Sequence, residues 1–284
     1  MCVVLEQDVV KQFIISALAE DVGDGDHTSL SSIPAGTQGA ARLLIKDNGI
    51  LAGVELAKQI FATVDPTLTL EVFINDGAHV KHGDIVLIVS GSVHAILKAE
   101  RLVLNTMQRM SGIATVTNQV TELLKGTRTQ VLDTRKTTPN IRFLEKWAVR
   151  IGGGVNHRIG LYDMILIKDN HVDYAGGIKN AIQNAQDYLN RTGKKLQIEI
   201  ETRNLEEVQQ VLDTGGVDRI MLDNFSFDNL RKAVQLINEH FVTEASGGIT
   251  MENAREYALC GVDYISMGAL THSVKSLDMS LKAM

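Results

Sequence analysis

The sequence predicts an α/β protein: an irregular or incomplete α/β barrel preceded by a smaller α+β unit. Three observations predict it. From Val131 onward, short apolar runs alternate with amphipathic stretches, which is the rhythm of parallel βαβ units. About six such runs are visible, where a closed barrel has eight. Before Val131 the strand-like runs lie closer together and are separated by turn residues.

In the first part, "QDVVKQFIISALAED" places Val9, Val10, Phe13, Ile14, Ala17 and Leu18 at helical spacing, giving one apolar face. "GDGDHTSLSSIPAG" reads as a loop by its Gly, Asp and Ser content. "ARLLIK", "LTLEVFI" and "IVLIVSG" read as strands, with "DGAHVKHGD" turning between the last two, and a long helix follows from about Leu97 to Lys125. The barrel runs are "VLDT", "MILIKDN", "LQIEIET", "RIMLDN", "FVTEASGG" and "DYISMGA". Helical segments such as "GIKNAIQNAQDYLNR", "NLEEVQQVLDTG", "SFDNLRKAVQLINEH" and "TMENAREYALCG" lie between most of them.

The 284 residues are 44% hydrophobic and 22% charged, which excludes a disordered chain. A net charge of −6 and a pI near 5.8 argue against a nucleic-acid partner, which would need a broadly basic face. Cys2 and Cys260 are the only cysteines, and neither sits in a CxxC, so a disulfide framework or structural zinc site is unsupported and a reducing cytoplasm fits. No apolar run approaches the roughly 20 residues of a membrane span, and "MCVVLEQDVVKQF" lacks the pattern of a secretory signal. The expectation is a soluble, cytoplasmic protein with no membrane partner.

Against that acidic background, "LDTRKTTPNIR" at residues 132–142 concentrates Arg135, Lys136 and Arg142, and Lys146, Arg150, His157, Arg158 and Lys168 follow. Glu145 and Asp163 are the only acids between Arg135 and Lys168, so a small, specific anion is expected here. Each barrel run ends in polar or backbone-exposing residues: Asp133–Arg135, Lys168–Asp169, Glu199 and Glu201, Asp223–Asn224, Ser246–Gly247–Gly248 and Gly268. Parallel strands open their C-terminal ends on one face, so these sequence-distant residues are expected to converge on one mouth. The small residues of "EASGGIT" and "SMGALT" suit a phosphate held by backbone N–H groups. Glu201 and Asp223 could accept from sugar hydroxyls or hold Mg²⁺ through water; Glu199 shares a strand face with Glu201, and pattern alone does not choose between them. Arg135 and Arg158 suggest a planar carboxylate ligand, whereas Lys136 and Lys168 suit phosphate oxygens. Arg142, Lys146 and Arg150 have the spacing of a solvated helix face, and His79, His82 and His94 read as structural or surface residues. "GGGVNHRIG" lacks the spacing of a nucleotide loop.

Several long motifs agree on one family. "EDVGDGDHTS", "AERLVLNTMQRMSGIAT", "DTRKTTP", "GGGVNHRIGLYDMILIKDNH", "IMLDNF", "SGGI" and "VDYISMGALTHS" resemble quinolinate phosphoribosyltransferase, in order from about residue 18 to 275. The resemblance implies a type II phosphoribosyltransferase: an α/β sandwich over residues 1–112, an incomplete α/β barrel over 113–270, and a tail at about 271–284 packing with the sandwich. It implies an enzyme that converts quinolinate and phosphoribosyl pyrophosphate (PRPP), with Mg²⁺, into nicotinate mononucleotide, pyrophosphate and CO₂. By the same resemblance Thr134, Arg135, His157 and Arg158 bind the quinolinate carboxylates or the adjacent pyrophosphate, and Lys136 and Lys168 contact pyrophosphate and substrate. Glu201 and Asp223 take the ribose and metal side, while Ser246, Gly247, Gly248, Met267, Gly268 and Ala269 hold the 5′-phosphate. Arg101 resembles an arginine that reaches a neighbouring subunit's site, which implies a homodimer or larger homo-oligomer. Asn140 departs from the family pattern, standing after Pro139 where the family often has glycine. Competing readings are a related type II enzyme acting on nicotinate or another base, a sugar-phosphate barrel lyase or isomerase, and a non-catalytic polyanion-binding module. The last would show steep salt dependence with arbitrary polyanions.

Overall fold

The computed structural model describes residues 7–284; Cys2 and the rest of the first six residues lie outside them. The chain forms two compact units. The first comprises the chain up to Asn118 together with Thr138–Gly153 and Ser273–Met284; the second comprises Gln119–Thr137 and Gly154–His272.

The first unit opens with helices α1 (Gln7–Val22) and α2 (His27–Ser32). Along α1 the buried stripe is Val10 and Ile14, whereas Val9, expected on the same face, is exposed. The segment expected to be a loop contains α2, because Asp26 caps it by accepting from the Ser29 amide at 3.1 Å. The strands are β1 (Gln38–Ile45), β2 (Gly49–Ile50), β3 (Thr69–Val72), β4 (His79–Val80) and β5 (Ile85–Ser92), with helix α3 (Val54–Val64) between β2 and β3. The long helix α4 (Val93–Leu123) follows; α5 (Arg142–Ile151) and the C-terminal strand β12 (Met279–Ala283) also belong to this unit. Among the described residues its main sheet has the order β12-β1-β5-β3, antiparallel throughout. Leu43, Leu87, Val89, Phe61, Met107 and Met110 form its core; each such side chain contributes about 1.5–3 kcal/mol by leaving water.

Within this unit α5 is held by the Arg109–Glu145 ion pair at 2.8 Å and by the edge-on Phe13–Phe143 contact at 5.7 Å. This corrects the solvated-face reading of Arg142, Lys146 and Arg150. Arg150 is exposed and Arg142 half-buried, but Lys146 is 1% exposed, because α5 buries Leu144, Glu145, Lys146, Ala148 and Val149 together. Asn140 takes φ +66°, a conformation that glycine adopts freely and asparagine tolerates, which explains the substitution there. His79 and His82 are exposed, and His94 bonds the Ile33 carbonyl at 3.1 Å. A Cβ on Gly112 would overlap the Lys275 carbonyl. Gly112→Ala is therefore expected to destabilise the protein by about 1–3 kcal/mol, measurable as a lowered denaturant midpoint.

The second unit alternates β6 (Gln130–Leu132), β7 (Ile165–Ile167), β8 (Ile198–Thr202), β9 (Arg219–Asp223), β10 (Val242–Ser246) and β11 (Tyr264–Ser266) with helices. These are α6 (Asp169–Ala175), α7 (Ile178–Thr192), α8 (Leu205–Thr214), α9 (Phe227–Ile237), α10 (Ala254–Leu259) and α11 (Ala269–His272). The six expected runs all became strands. They form one parallel sheet in the order β6-β11-β10-β9-β8-β7, with no β6–β7 pairing among the described residues, so the barrel is incomplete. Asn204 and Ser226 start α8 and α9 by accepting from the amides of Glu207 and Asn229. Ile200, Ile220, Leu222, Ala245 and Ile265 from the strands, with Val211, Leu230 and Ala233 from the helices, are fully buried. Among the described residues no helix is long and apolar enough to cross a membrane.

Candidate active site

The C-terminal ends of these strands enclose a cavity of about 780 Å³ in the second unit, within the range of small-molecule sites. Thr134, Arg135, Lys136, His157, Arg158, Lys168, Glu201, Asp223, Ser246, Gly247, Gly248, Gly268 and Ala269 all line it. Two other expected residues do not. Met267 is 2% exposed and donates its amide to the Leu132 carbonyl, so it is core rather than lining. Arg101 lies on α4 in the first unit, with its side chain 55% exposed beside Glu100 and Asn105.

The cationic wall is built on the chain after β6. Asp133, at 0% exposure, does not face the cavity; its carboxylate accepts from the Asn156 side chain at 2.6 Å and the His157 amide at 2.9 Å. It ties the 154–158 loop, bridged in parallel at Leu132–Val155, to the sheet. Asp163 accepts from the Ile159 and Gly160 amides and closes the following turn. Arg158 emerges from this frame with Nη1 at 3.4 Å from the Met164 carbonyl. Its pKa is lowered by burial and then by the guanidinium of Arg135. Two guanidiniums held this close repel each other until an anion lies between them.

Lys136 is set by Thr271, whose hydroxyl donates to the Lys136 carbonyl at 2.8 Å. Gly268 is small because a Cβ there would meet the Lys136 stem at 3.0 Å and the His272 ring at 3.1 Å. His272 lines the cavity and was not singled out from sequence, although it lies within the motif "VDYISMGALTHS".

The acidic wall resolves the choice that pattern left open at β8. Glu199 and Glu201 share a face, two residues and about 7 Å apart along the strand. Glu201, at the strand's end, lines the cavity; Glu199, deeper, is 0% exposed. Burial, the Asp223 carboxylate and other neighbours raise the pKa of Glu201, so two acidic groups face the same space. Such a pair of hard oxygen donors, backed by Lys168, fits a divalent cation shared with substrate oxygens.

At the floor of the cavity, where Glu244 contributes to the lining, lies a cluster that joins His157 and Glu199 to Glu244 and Arg219, two residues that carried no sequence signal. Glu199 Oε2 stands 2.9 Å and Glu244 Oε2 3.4 Å from His157 Nε2, and Arg219 Nη1 lies 3.0 Å from Glu244 Oε2 with its guanidinium over Tyr264. Glu244, like Glu199, is 0% exposed. Burial and Glu244 raise the Glu199 pKa to about 7, whereas His157 and Arg219 hold Glu244 below its ordinary value against its burial. Burial opposes a charge on His157, but the carboxylates of Glu199 and Glu244 outweigh it and raise its pKa to about 9. The opposing contact is on the other ring nitrogen. Nδ1 accepts the Arg158 amide at 2.7 Å, and an imidazolium would present an N–H there instead. With Nδ1 accepting, a single ring proton sits on Nε2, facing Glu199, so this contact opposes the second proton that the carboxylates favour. The three ligand atoms are close enough to suggest a metal, but Nε2 could take one only as an imidazolate, so the tautomer argues against it.

The glycines of the loop after β10 sit at φ +93° (Gly247) and +61° (Gly248). The Asn224 amide donates to the Ser246 carbonyl at 2.9 Å, and its side chain donates to Asp223 Oδ2 at 2.6 Å. A Cβ on Gly247 would overlap that side chain. The motifs "LDN" and "SGG" are therefore one packed unit.

Comparison with known proteins agrees with this geometry. The family described as quinolinate phosphoribosyl transferase, N-terminal domain, matches residues 26–111, and its C-terminal domain matches residues 113–282. The chain is 48% identical to the nicotinate-nucleotide pyrophosphorylase [carboxylating], chloroplastic, of Arabidopsis thaliana, covering 96% of this chain and 82% of that one. It is 41% identical to the probable nicotinate-nucleotide pyrophosphorylase [carboxylating] of Bacillus subtilis, covering 96% and 92%. The crystal structure of NadC from Streptococcus pyogenes superposes with a TM-score of 0.91 at 38% identity, covering 97% of each chain.

Proposed function

The chain belongs to the quinolinate phosphoribosyltransferase family, and we infer that it transfers the phosphoribosyl group of PRPP to quinolinate with loss of CO₂ and pyrophosphate, forming nicotinate mononucleotide. The observation that carries the assignment of the site is the gathering in one cavity of four cations, Arg135, Lys136, Arg158 and Lys168, with two carboxylates, Glu201 and Asp223. Quinolinate brings two carboxylates and PRPP a phosphate and a pyrophosphate, so the cationic wall offsets repulsion that would otherwise keep them apart. Arg135 and Arg158 take the quinolinate carboxylates, and Thr134 and His157 line the cavity beside them. Lys136 and Lys168 take pyrophosphate oxygens. Backbone N–H groups around Ser246–Gly248 and Gly268–Ala269 hold the 5′-phosphate.

As pyrophosphate leaves, positive charge grows at the ribose carbon, and the carboxylates of Glu201 and Asp223 stabilise it. The quinolinate nitrogen attacks that carbon and becomes a pyridinium, whose positive charge stabilises the C2 carbanion left when the adjacent carboxylate departs as CO₂; a proton from water then adds at C2 to complete nicotinate mononucleotide. Orientation and electrostatics suffice, and no side chain forms a covalent bond to substrate. Glu201 and Asp223 would hold Mg²⁺, which when bound neutralises pyrophosphate charge.

The assignment is tested with PRPP, Mg²⁺ and carboxyl-labelled quinolinate, with nicotinate in a parallel reaction. Equal amounts of CO₂ and mononucleotide from quinolinate alone are expected; turnover of nicotinate alone would replace the assignment with a related transferase.

The exposed position of Arg101 supports a homo-oligomer in which this residue completes a second copy's cavity. Arg101→Ala and Arg158→Ala proteins, each nearly inactive, are then expected to regain activity when co-refolded, because a mixed dimer contains one intact cavity. Activity no greater than the sum of the separate variants would reject the shared site. A cytoplasmic location belongs to the same proposal and is supported by the scarcity of cysteine.

A further inference from the structure

His157 lines the cavity, yet both of its ring nitrogens are committed to the protein. Nδ1 accepts the backbone amide of Arg158 at 2.7 Å, and Nε2 faces Glu199 Oε2 at 2.9 Å and Glu244 Oε2 at 3.4 Å. Its own backbone amide donates to buried Asp133 at 2.9 Å. Glu199 and Glu244 are each 0% exposed, and Arg219 Nη1 holds the same Glu244 oxygen at 3.0 Å. Two buried carboxylates are costly to keep unless they do something, and an apolar pair would fill the same space. We propose that Glu199 and His157 form a positioning relay, seated on Glu244 and Arg219, that fixes the backbone of Arg158 and so aims its guanidinium at the substrate's carboxylate, His157 making no ring-nitrogen hydrogen bond to substrate itself.

The relay rests on the assignment of Arg158 as a carboxylate binder and adds that the residue before it acts only through it. It also gives the two β8 glutamates separate tasks: Glu201 faces the substrate at the strand's end, and Glu199 braces the opposite wall from below. The neighbours of the ring are accounted for on each side, with Glu199 from β8, Glu244 from β10, and Asp133 and Arg158 on the loop's own frame.

A double-mutant cycle tests it, with Michaelis constants measured separately for the pyridine carboxylate and for PRPP. Glu199→Ala and His157→Ala are each expected to raise the KM for the carboxylate about tenfold or more while leaving the KM for PRPP within about twofold. In the His157→Ala background, Glu199→Ala is expected to add at most about twofold, because the route through the ring is gone and only the direct charge of Glu199 on Arg158 remains. Glu199→Gln keeps an acceptor for the Nε2 proton and is expected to behave as the unmodified enzyme. Glu199→Leu, which keeps the volume but not the acceptor, replaces the alanine variant if that does not fold. Additive losses in the double variant, or a Glu199→Leu enzyme with an unchanged KM for the carboxylate, would overturn the relay. The cycle is read on whichever pyridine carboxylate the unmodified enzyme turns over, so a failure of quinolinate as substrate shows in the wild type and leaves the comparison of variants intact.

Discussion

Arg158→Ala is expected to lower kcat/KM for quinolinate by about 10²–10³-fold, the cost of deleting a charge-assisted, two-pronged contact in a half-enclosed site. The reasoning begins with the free protein. Arg158 is half-buried, and burial together with Arg135 already lowers its affinity for its proton. The site thus holds two guanidiniums that destabilise each other until a dianion arrives. Removing one relieves repulsion in the empty protein and removes attraction in the complex, so activity falls while thermal stability is maintained or rises. The loss should sit in the KM for quinolinate, with the KM for PRPP little changed. Arg158→Lys should not restore it, because an ammonium cannot reproduce a planar fork. Steady-state kinetics at saturating PRPP, beside a melting curve, measure both; unchanged kinetics would remove Arg158 from the site.

Gly247→Ala carries the second large effect, placed on the other substrate. Gly247 has φ +93°, and a Cβ there would overlap the Asn224 side chain and stand 2.9 Å from its backbone nitrogen. Asn224 itself is held at φ +56° and donates to Asp223. A methyl group at residue 247 therefore displaces the phosphate loop and loosens the hold on Asp223 in one step. Displacement of about 1 Å costs on the order of 10²-fold when it misplaces a reacting group, and kcat/KM for PRPP is expected to fall by about that factor. Gly248→Ala has open space around its Cβ and meets only the penalty of φ +61°, so it should be milder. Equal kinetics for the two alanine variants would contradict the packed unit of "LDN" and "SGG".

The alternation of apolar runs after Val131 was legible because parallel strands buried on both faces must be apolar and their ends must not be. The same rule brought Arg135, Lys168, Glu201, Asp223 and Ser246 to one cavity from positions far apart in the chain. It misled at Asp133 and Glu199, which also stand near strand ends but point into the interior, where their partners are the Asn156 side chain, the His157 amide and the His157 ring. Lys146 misled for a related reason: helical spacing defines a face but does not say which neighbour will cover it. Glu244 carried no signal, since a lone glutamate within an apolar run looks like a solvent-facing residue until its neighbours are known.

By itself, then, the sequence determined the order of strands and helices, the concentration of cationic residues on one stretch, and the glycines at the last strand ends; these are local properties, written in periodicity and residue type. Only the tertiary structure decided which acids open onto the cavity and which are buried against other side chains. Depth along a strand and the tautomer of a histidine depend on what packs from other strands, and no window of the chain contains those neighbours.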